Sequence, residues 1–253
     1  MTDIFQIASV GMQDAHQRID AISLNAASAS LPGFRRHVIA GRSFNAALTG
    51  PTGSTGPSAN ESAKTAASLQ GGNPALQQVD LRPGSLVSTG RPLDVALESA
   101  DLFFALTDGE QTWLTRGGSF RLNQDGVLVG EGGLRVVGTD GDLHIPAGEV
   151  TVEADGRITQ LGVTVATLQL FKANDPASLV AAQGSLLTAA AGEEPEDVGV
   201  GRVRAGALEG SNTDVAGEMI ALMAVSRQFE SLTRVVQGYD ALLGRAIEKL
   251  AEV

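Results

Sequence analysis

Histidines and carboxylates are the residues of this 253-residue chain with the most potential for chemistry. His16 falls on a predicted helix, His37 follows a Pro-Gly break, and His144 stands beside a predicted strand end. With no cysteine and no His-x-x-x-His pair there is no metal-ligand spacing, so each is expected to be solvated or locally bonded. Asp94 and Glu98 in "PLDVALES" could be imagined as a pair for acid–base work. On an extended strand, residues four apart share a face but stand more than about 10 Å apart, so a solvated strand edge is expected instead. "NQDGVLVGE" lacks the first Asp and the alternating ligands of a calcium loop. "GPTGSTGPS" lacks the Gly-Lys-Ser/Thr ending of a phosphate loop, and no Gly-x-Ser-x-Gly elbow occurs. The residues therefore predict no catalytic, cofactor-binding or metal-binding site, and no small-molecule substrate.

The elements that would have to position such residues point elsewhere. From Ile4 to Ala29, small or apolar residues recur in steps of three or four, at Ile4, Ala8, Gly11, Ala15, Ile19, Ile22, Ala26 and Ala29. This spacing predicts a helix with a narrow stripe. Pro32-Gly33 ends it, because proline disfavours helical geometry in the residue before it. The C-terminal segment carries a stronger stripe at Val215, Met219, Leu222, Val225, Phe229, Leu232, Val236, Tyr239, Leu243, Ala246 and Leu250. Its mean step of about 3.5 is that of a left-handed coiled-coil seam. Ser211, Asn212, Thr213 and Asp214 are candidate N-caps, and Asp214 and Glu218 put negative charge at the positive end of the helix dipole.

Between the helices the period changes. Residues 49–73 are rich in Gly, Ser, Thr, Ala and Pro and too poor in bulky apolar groups to offset their ordering entropy, which predicts a flexible linker. From Pro92 to about Lys172, Asp-Gly pairs at 108–109, 125–126, 140–141 and 155–156 separate runs such as "LFFAL", "TWLTR" and "LRVVG", as in a meander of half-buried antiparallel strands. A loop-rich return is predicted after Lys172. The expected fold is α+β, with a β-rich central domain of short antiparallel strands and terminal helices that pair in a coiled-coil-like axial domain. Four segments follow: an N-terminal helix and arm (1–45), a linker (46–90), the β domain (91–205) and a C-terminal helix (206–253).

Composition limits the partners. A net charge of −11, with Arg35-Arg36 the only adjacent basic pair, opposes binding to nucleic acid. No segment reaches the roughly 18 apolar residues of a membrane span, so no membrane insertion is expected. The first twenty residues have no basic cluster, and Gln6 and Ser9 break any apolar core, so no cleavable secretory signal is expected. Two functional classes beyond an assembly protein remain open on these residues: a β-rich binding module with a dimerising coiled coil, and a hydrolase using dispersed carboxylates.

Three blocks carry a family likeness. "GMQDAHQRIDAISLNAASASLPGFRR" (11–36) resembles the N-terminal motif of the flagellar rod and hook axial proteins, although only Asn25 remains of an Asn-Asn pair. "GRPLDVALESADLFFALTDGEQTWLTRGGSFRLNQDGVLV" (90–129) is similar to that family's Pro-Leu-Asp-Val-Ala block and the signatures after it. "GALEGSNTDVAGEMIALMAVSRQFESLTRVVQ" (206–237) resembles its C-terminal motif. The blocks cover about half the chain, in family order. The resemblance is to the flagellar basal-body rod family, nearer to its proximal rod proteins than to the distal rod or longer hook proteins.

The resemblance implies a structural subunit of the basal-body rod, exported by the flagellar type III apparatus without a cleavable signal and polymerised where the rod crosses the periplasm. Its partners would be other rod and axial proteins, further copies of itself and the export apparatus. The expected assembly interface comprises Ile4, Ala8, Gly11, Met12, Ala15, Ile19, Ile22, Asn25, Ala26, Pro32, Gly33 and Phe34 at one end. At the other it comprises Asn212, Met219, Leu222, Val225, Phe229, Leu232, Val236, Tyr239 and Leu243.

Overall fold

The computed structural model describes residues 3–39, 77–189 and 195–251, so the predicted linker at 49–73 lies outside the described residues. The chain divides into two compact units. The first holds the described parts of Met1–Ser23, Ile39–Gln77 and Ala216–Val253, and the second holds those of Leu24–Val38 and Gln78–Val215. Helices and antiparallel strands together make the protein α+β.

Helix α1 spans Asp3–Ala27, and helix α2 spans Val215–Ala251. The first stops short of the proline: Ser28 N donates to Leu24 O at 2.9 Å, and Leu31 N then donates to Ser28 O at 3.0 Å, turning the chain before Pro32. The second begins directly after Asp214, with Glu218 in its first turn, where the helix dipole favours a carboxylate. Asn212, one of the predicted caps, is used differently, as described below.

The second unit is built on a ten-stranded sheet whose central strand is Leu102–Thr107. The sequence suggests that "LFFAL" is half-buried, but this strand is buried on both faces. Successive side chains on a strand point to opposite sides, so its apolar run is divided between two cores. Leu102, Phe104 and Leu106 join Val95, Phe120, Leu128, Ile158 and Leu170 on one side. Phe103 and Ala105 join Leu114, Leu179 and Leu187 on the other. Phe104 and Phe120 meet edge to face, with ring centroids 5.1 Å apart.

The four Asp-Gly pairs lie at hairpin turns, and their glycines, Gly109, Gly126, Gly141 and Gly156, all have positive φ. The stretch after Lys172 departs from the expected loop-rich return. It supplies strands Val180–Ala181, Leu186–Thr188, Glu196–Gly199 and Val203–Ala205. These runs are too short to announce themselves by period. Their partners decide them: Val203–Ala205 pairs antiparallel with Val95–Leu97, and Ala207–Glu209 with Leu86–Ser88. The second unit is therefore closed by segments from the far end of the chain.

Asp94 also corrects an expectation. Its carboxylate is buried rather than solvated, and Arg91 grips it with two bonds of 2.8 Å, Nε to Oδ2 and Nη2 to Oδ1. Its neighbour Glu98 is exposed as expected. The turn at 91–94 places the arginine three residues before the acid, and Gly206 N donates to the Asp94 carbonyl at 2.7 Å.

Candidate assembly interface

In the first unit, the stripe of α1 faces protein. Ala8 and Ala15 are buried, and Gly11, Met12, Ile19 and Ile22 are half-buried. At Gly11 the helix meets α2: a Cβ placed there would stand 3.1 Å from Leu232 Cδ1. The small residues of this stripe thus have a physical use, since a larger side chain would hold the two helices apart. On α2, Leu222, Val225, Phe229, Leu232, Val236 and Tyr239 are half-buried, whereas Met219 is exposed. The side chains of Ile4 and Leu243 lie outside the described residues.

The α2 stripe read from the sequence is only part of the apolar surface. Ile220, Met223, Val235 and Leu242 lie off that stripe and are between 51% and 64% exposed. They leave an open apolar flank on a helix of 37 residues.

In the second unit, Asn25 and Asn212 make backbone-mimicking contacts in a knot that also holds Gly33 and Phe34, and Ala26 and Pro32 are half-buried. Asn25 is buried and acts as a strand would: His37 N donates to its Oδ1 at 2.7 Å, and its Nδ2 donates to His37 O at 2.9 Å. Asn212 does the same for two segments, accepting from Arg36 N at 2.7 Å and donating to Asp80 O at 2.8 Å and Arg82 O at 2.9 Å. Phe34 stacks on the His37 ring at 5.3 Å. Burial pushes the His37 imidazole below its ordinary value of 6.5. His16, by contrast, is largely solvated on its helix, 3.8 Å from Asp20, and His144 is exposed.

Gly33 has φ of +72° and donates its N–H to Glu209 O at 2.7 Å. A Cβ at Gly33 would lie 2.1 Å from Gly117 N, so no other residue fits without moving backbone.

Three charged residues complete this knot, and reading the sequence for chemistry missed all of them. Glu209 is buried between two buried arginines. Arg35 Nη2 reaches its Oε1 at 2.6 Å, and Arg116 reaches its Oε2 through Nε at 2.8 Å and Nη2 at 2.7 Å. Gly84 N adds a bond to Oε1 at 2.9 Å. Burial pushes the Arg116 guanidinium below its ordinary value, while Glu209 opposes that shift and Arg35 reinforces it. The available signal was a charged residue inside each apolar motif: Arg35 after Gly-Phe, Arg116 in "TWLTRGG" and Glu209 in "LEGSN".

Among the described residues no group of three His, Asp or Glu side chains could hold a metal ion, and no helix is long and apolar enough to cross a membrane. What the geometry offers is surfaces and joints.

Residues 204–249 match the family described as flagellar basal body rod FlgEFG protein C-terminal, and residues 100–160 match the flagellar hook protein FlgE/F/G D1 domain. The flagellar basal-body rod protein FlgF of Escherichia coli (strain K12) is 31% identical over 251 residues, which cover 90% of each chain. The chain belongs to the flagellar basal-body rod protein family. FlgF of Rhizobium meliloti (strain 1021) is 35% identical over 176 residues, 67% of this chain and 71% of that protein. The rod protein FlgG of Bacillus subtilis (strain 168) is 28% identical, and the match covers 92% of this chain and 93% of that one. As a member of this rod family, the chain is a structural protein of the flagellum and not an enzyme. The C-terminal family match covers most of α2, and the D1 match covers the central strand Leu102–Thr107 and two of its partners, Thr112–Thr115 and Arg135–Gly138.

Proposed function

We propose that this rod subunit is exported by the flagellar type III apparatus and polymerises through its terminal helices into the axial shaft that crosses the periplasm. Its helices pair in a coiled-coil-like manner, and their remaining apolar surface is covered by other rod and axial proteins and by further copies of the chain. The observation that carries this reading is the open flank of α2, where Ile220, Met223, Val235 and Leu242 lie exposed beside a half-buried stripe. A helix apolar on more than one face calls for more than one neighbour. Contacts between copies that do not close into a ring extend into a helical filament, the geometry a shaft requires. The predicted interface residues of the two half-buried stripes supply the pairing of the helices, and of the described ones only Met219 is exposed as the flank is. The proximal position in the rod is favoured by the form of the Gly90–Leu97 block and the Arg-Gln-Phe-Glu ending.

The test is the pair Ile220→Glu and Met223→Glu, expressed in a strain lacking its own rod subunit. The expected result is a folded, exported subunit that is missing from isolated basal bodies, with loss of swimming in soft agar. Normal incorporation of the double variant would contradict the proposal.

A further inference from the structure

Arg35 and Arg116 both hold Glu209, but they are not equivalent. Arg116 has other partners in the β domain: its Nη1 donates to Ser99 O at 2.6 Å and to Leu102 O, and its guanidinium lies 5.9 Å from the centre of the Phe103 ring. Arg35 is 1% exposed at its side chain, and its Nε and Nη1 have no hydrogen-bond partner among the described residues. Glu209, which lies 174 positions further along the chain, is its counter-charge. Without that carboxylate, Arg35 would be a buried cation facing the like charge of Arg116, a state that folded proteins avoid. The backbone reinforces this dependence, because the Gly33 N–H also ends on the Glu209 carbonyl.

We infer that Arg35, Arg116 and Glu209 form a latch that closes the arm at residues 28–36 only when the C-terminal strand Ala207–Glu209 is in place. The arginine on the β domain is held with or without the latch, whereas the arginine on the arm is not. A chain made from its N-terminus therefore keeps its arm open until about four-fifths of it, up to Glu209, is present. For the use of such a device the inference rests on the rod reading: the arm following α1 and the strand preceding α2 become ordered together, so a chain that stops before that strand does not present a closed arm.

The test is amide hydrogen exchange, read by mass spectrometry on the full-length folded protein and two variants. Glu209→Gln removes the shared counter-charge. Arg35→Ala removes only the arm's member and leaves Arg116 paired with Glu209, so it reports even if Glu209→Gln fails to fold. In each folded variant, residues 33–36 should exchange at least about tenfold faster, the scale set by losing one charge-assisted hydrogen bond. The strand Thr112–Thr115 should keep its protection. Unchanged exchange at 33–36 would overturn the latch, as would equal loosening of arm and strand. The rod reading fails separately, if the native chain does not restore rods to a strain lacking them, and that failure leaves the exchange result as it stands.

Discussion

Asn25 and His37 are joined by two hydrogen bonds of 2.7 and 2.9 Å, in which one side-chain amide satisfies both backbone groups of the other residue. This joint fastens the end of α1 to the first strand, His37–Ile39, across the Pro-Gly turn. Asn25→Ala would leave a buried N–H and a buried carbonyl unpaired, at a cost of about 2–3 kcal/mol. Denaturant unfolding followed through Trp113, the chain's only tryptophan, measures the loss. Asn25→Asp should lose at least as much, because it keeps the acceptor but turns an oxygen toward the His37 carbonyl.

His37 makes stability depend on pH. Its folded-state pKa is lowered by burial, so below the ordinary value of 6.5 the unfolded chain binds the proton more readily than the folded one. Stability should therefore fall as pH drops below 6.5, level off once the folded-state pKa has been passed, and be fully restored above neutrality. His37→Gln should flatten this slope when denaturation midpoints are compared across that range.

The joint at Gly33 is steric. With φ at +72° and Gly117 N 2.1 Å from any Cβ, Gly33→Ala should destabilise the protein by at least about 3 kcal/mol. Gly132 has a similar φ of +65° but open space around it, so Gly132→Ala should cost only about 1 kcal/mol. Comparing their denaturation midpoints separates crowding from backbone strain.

The large features of the fold were legible in the sequence because they repeat. The stripes on both helices and the four Asp-Gly turns recur at near-regular intervals, so each position supports the next. Val203–Ala205 and Ala207–Glu209 could not be read in this way. Strands of three residues show no period, and their pairing with segments more than a hundred positions upstream is a property of the tertiary fold. Burial misled in the same way. Asp94 and Arg35 carry charges that suggest solvent, and only the presence of Arg91 and Glu209 makes their burial tolerable. On α2, the spacing matches the half-buried run from Leu222 to Tyr239, whereas Met219 is exposed and Ile220 and Met223 lie off the period.

Gly11 and Leu232 make the contact between the helices testable. A Cβ at Gly11 meets only the flexible end of Leu232, so Gly11→Ala should be nearly neutral, with crowding offset by a gain in helix propensity of about 1 kcal/mol. Gly11→Leu should destabilise by about 1–3 kcal/mol. Adding Leu232→Ala should recover part of that loss. A double-mutant cycle on thermal unfolding gives the coupling, and strict additivity would mean that the two positions do not share a contact.

In the assembled rod, neighbouring subunits should cover the open flank of α2. Because the chain has no cysteine, Ile220→Cys provides a single thiol on that flank, where the native side chain is 64% exposed. The measurement is the rate of maleimide labelling at position 220, in the free subunit and in isolated basal bodies. Rapid labelling of the free subunit and strong protection in the rod are expected. Equally rapid labelling in both would mean that no neighbour covers the flank.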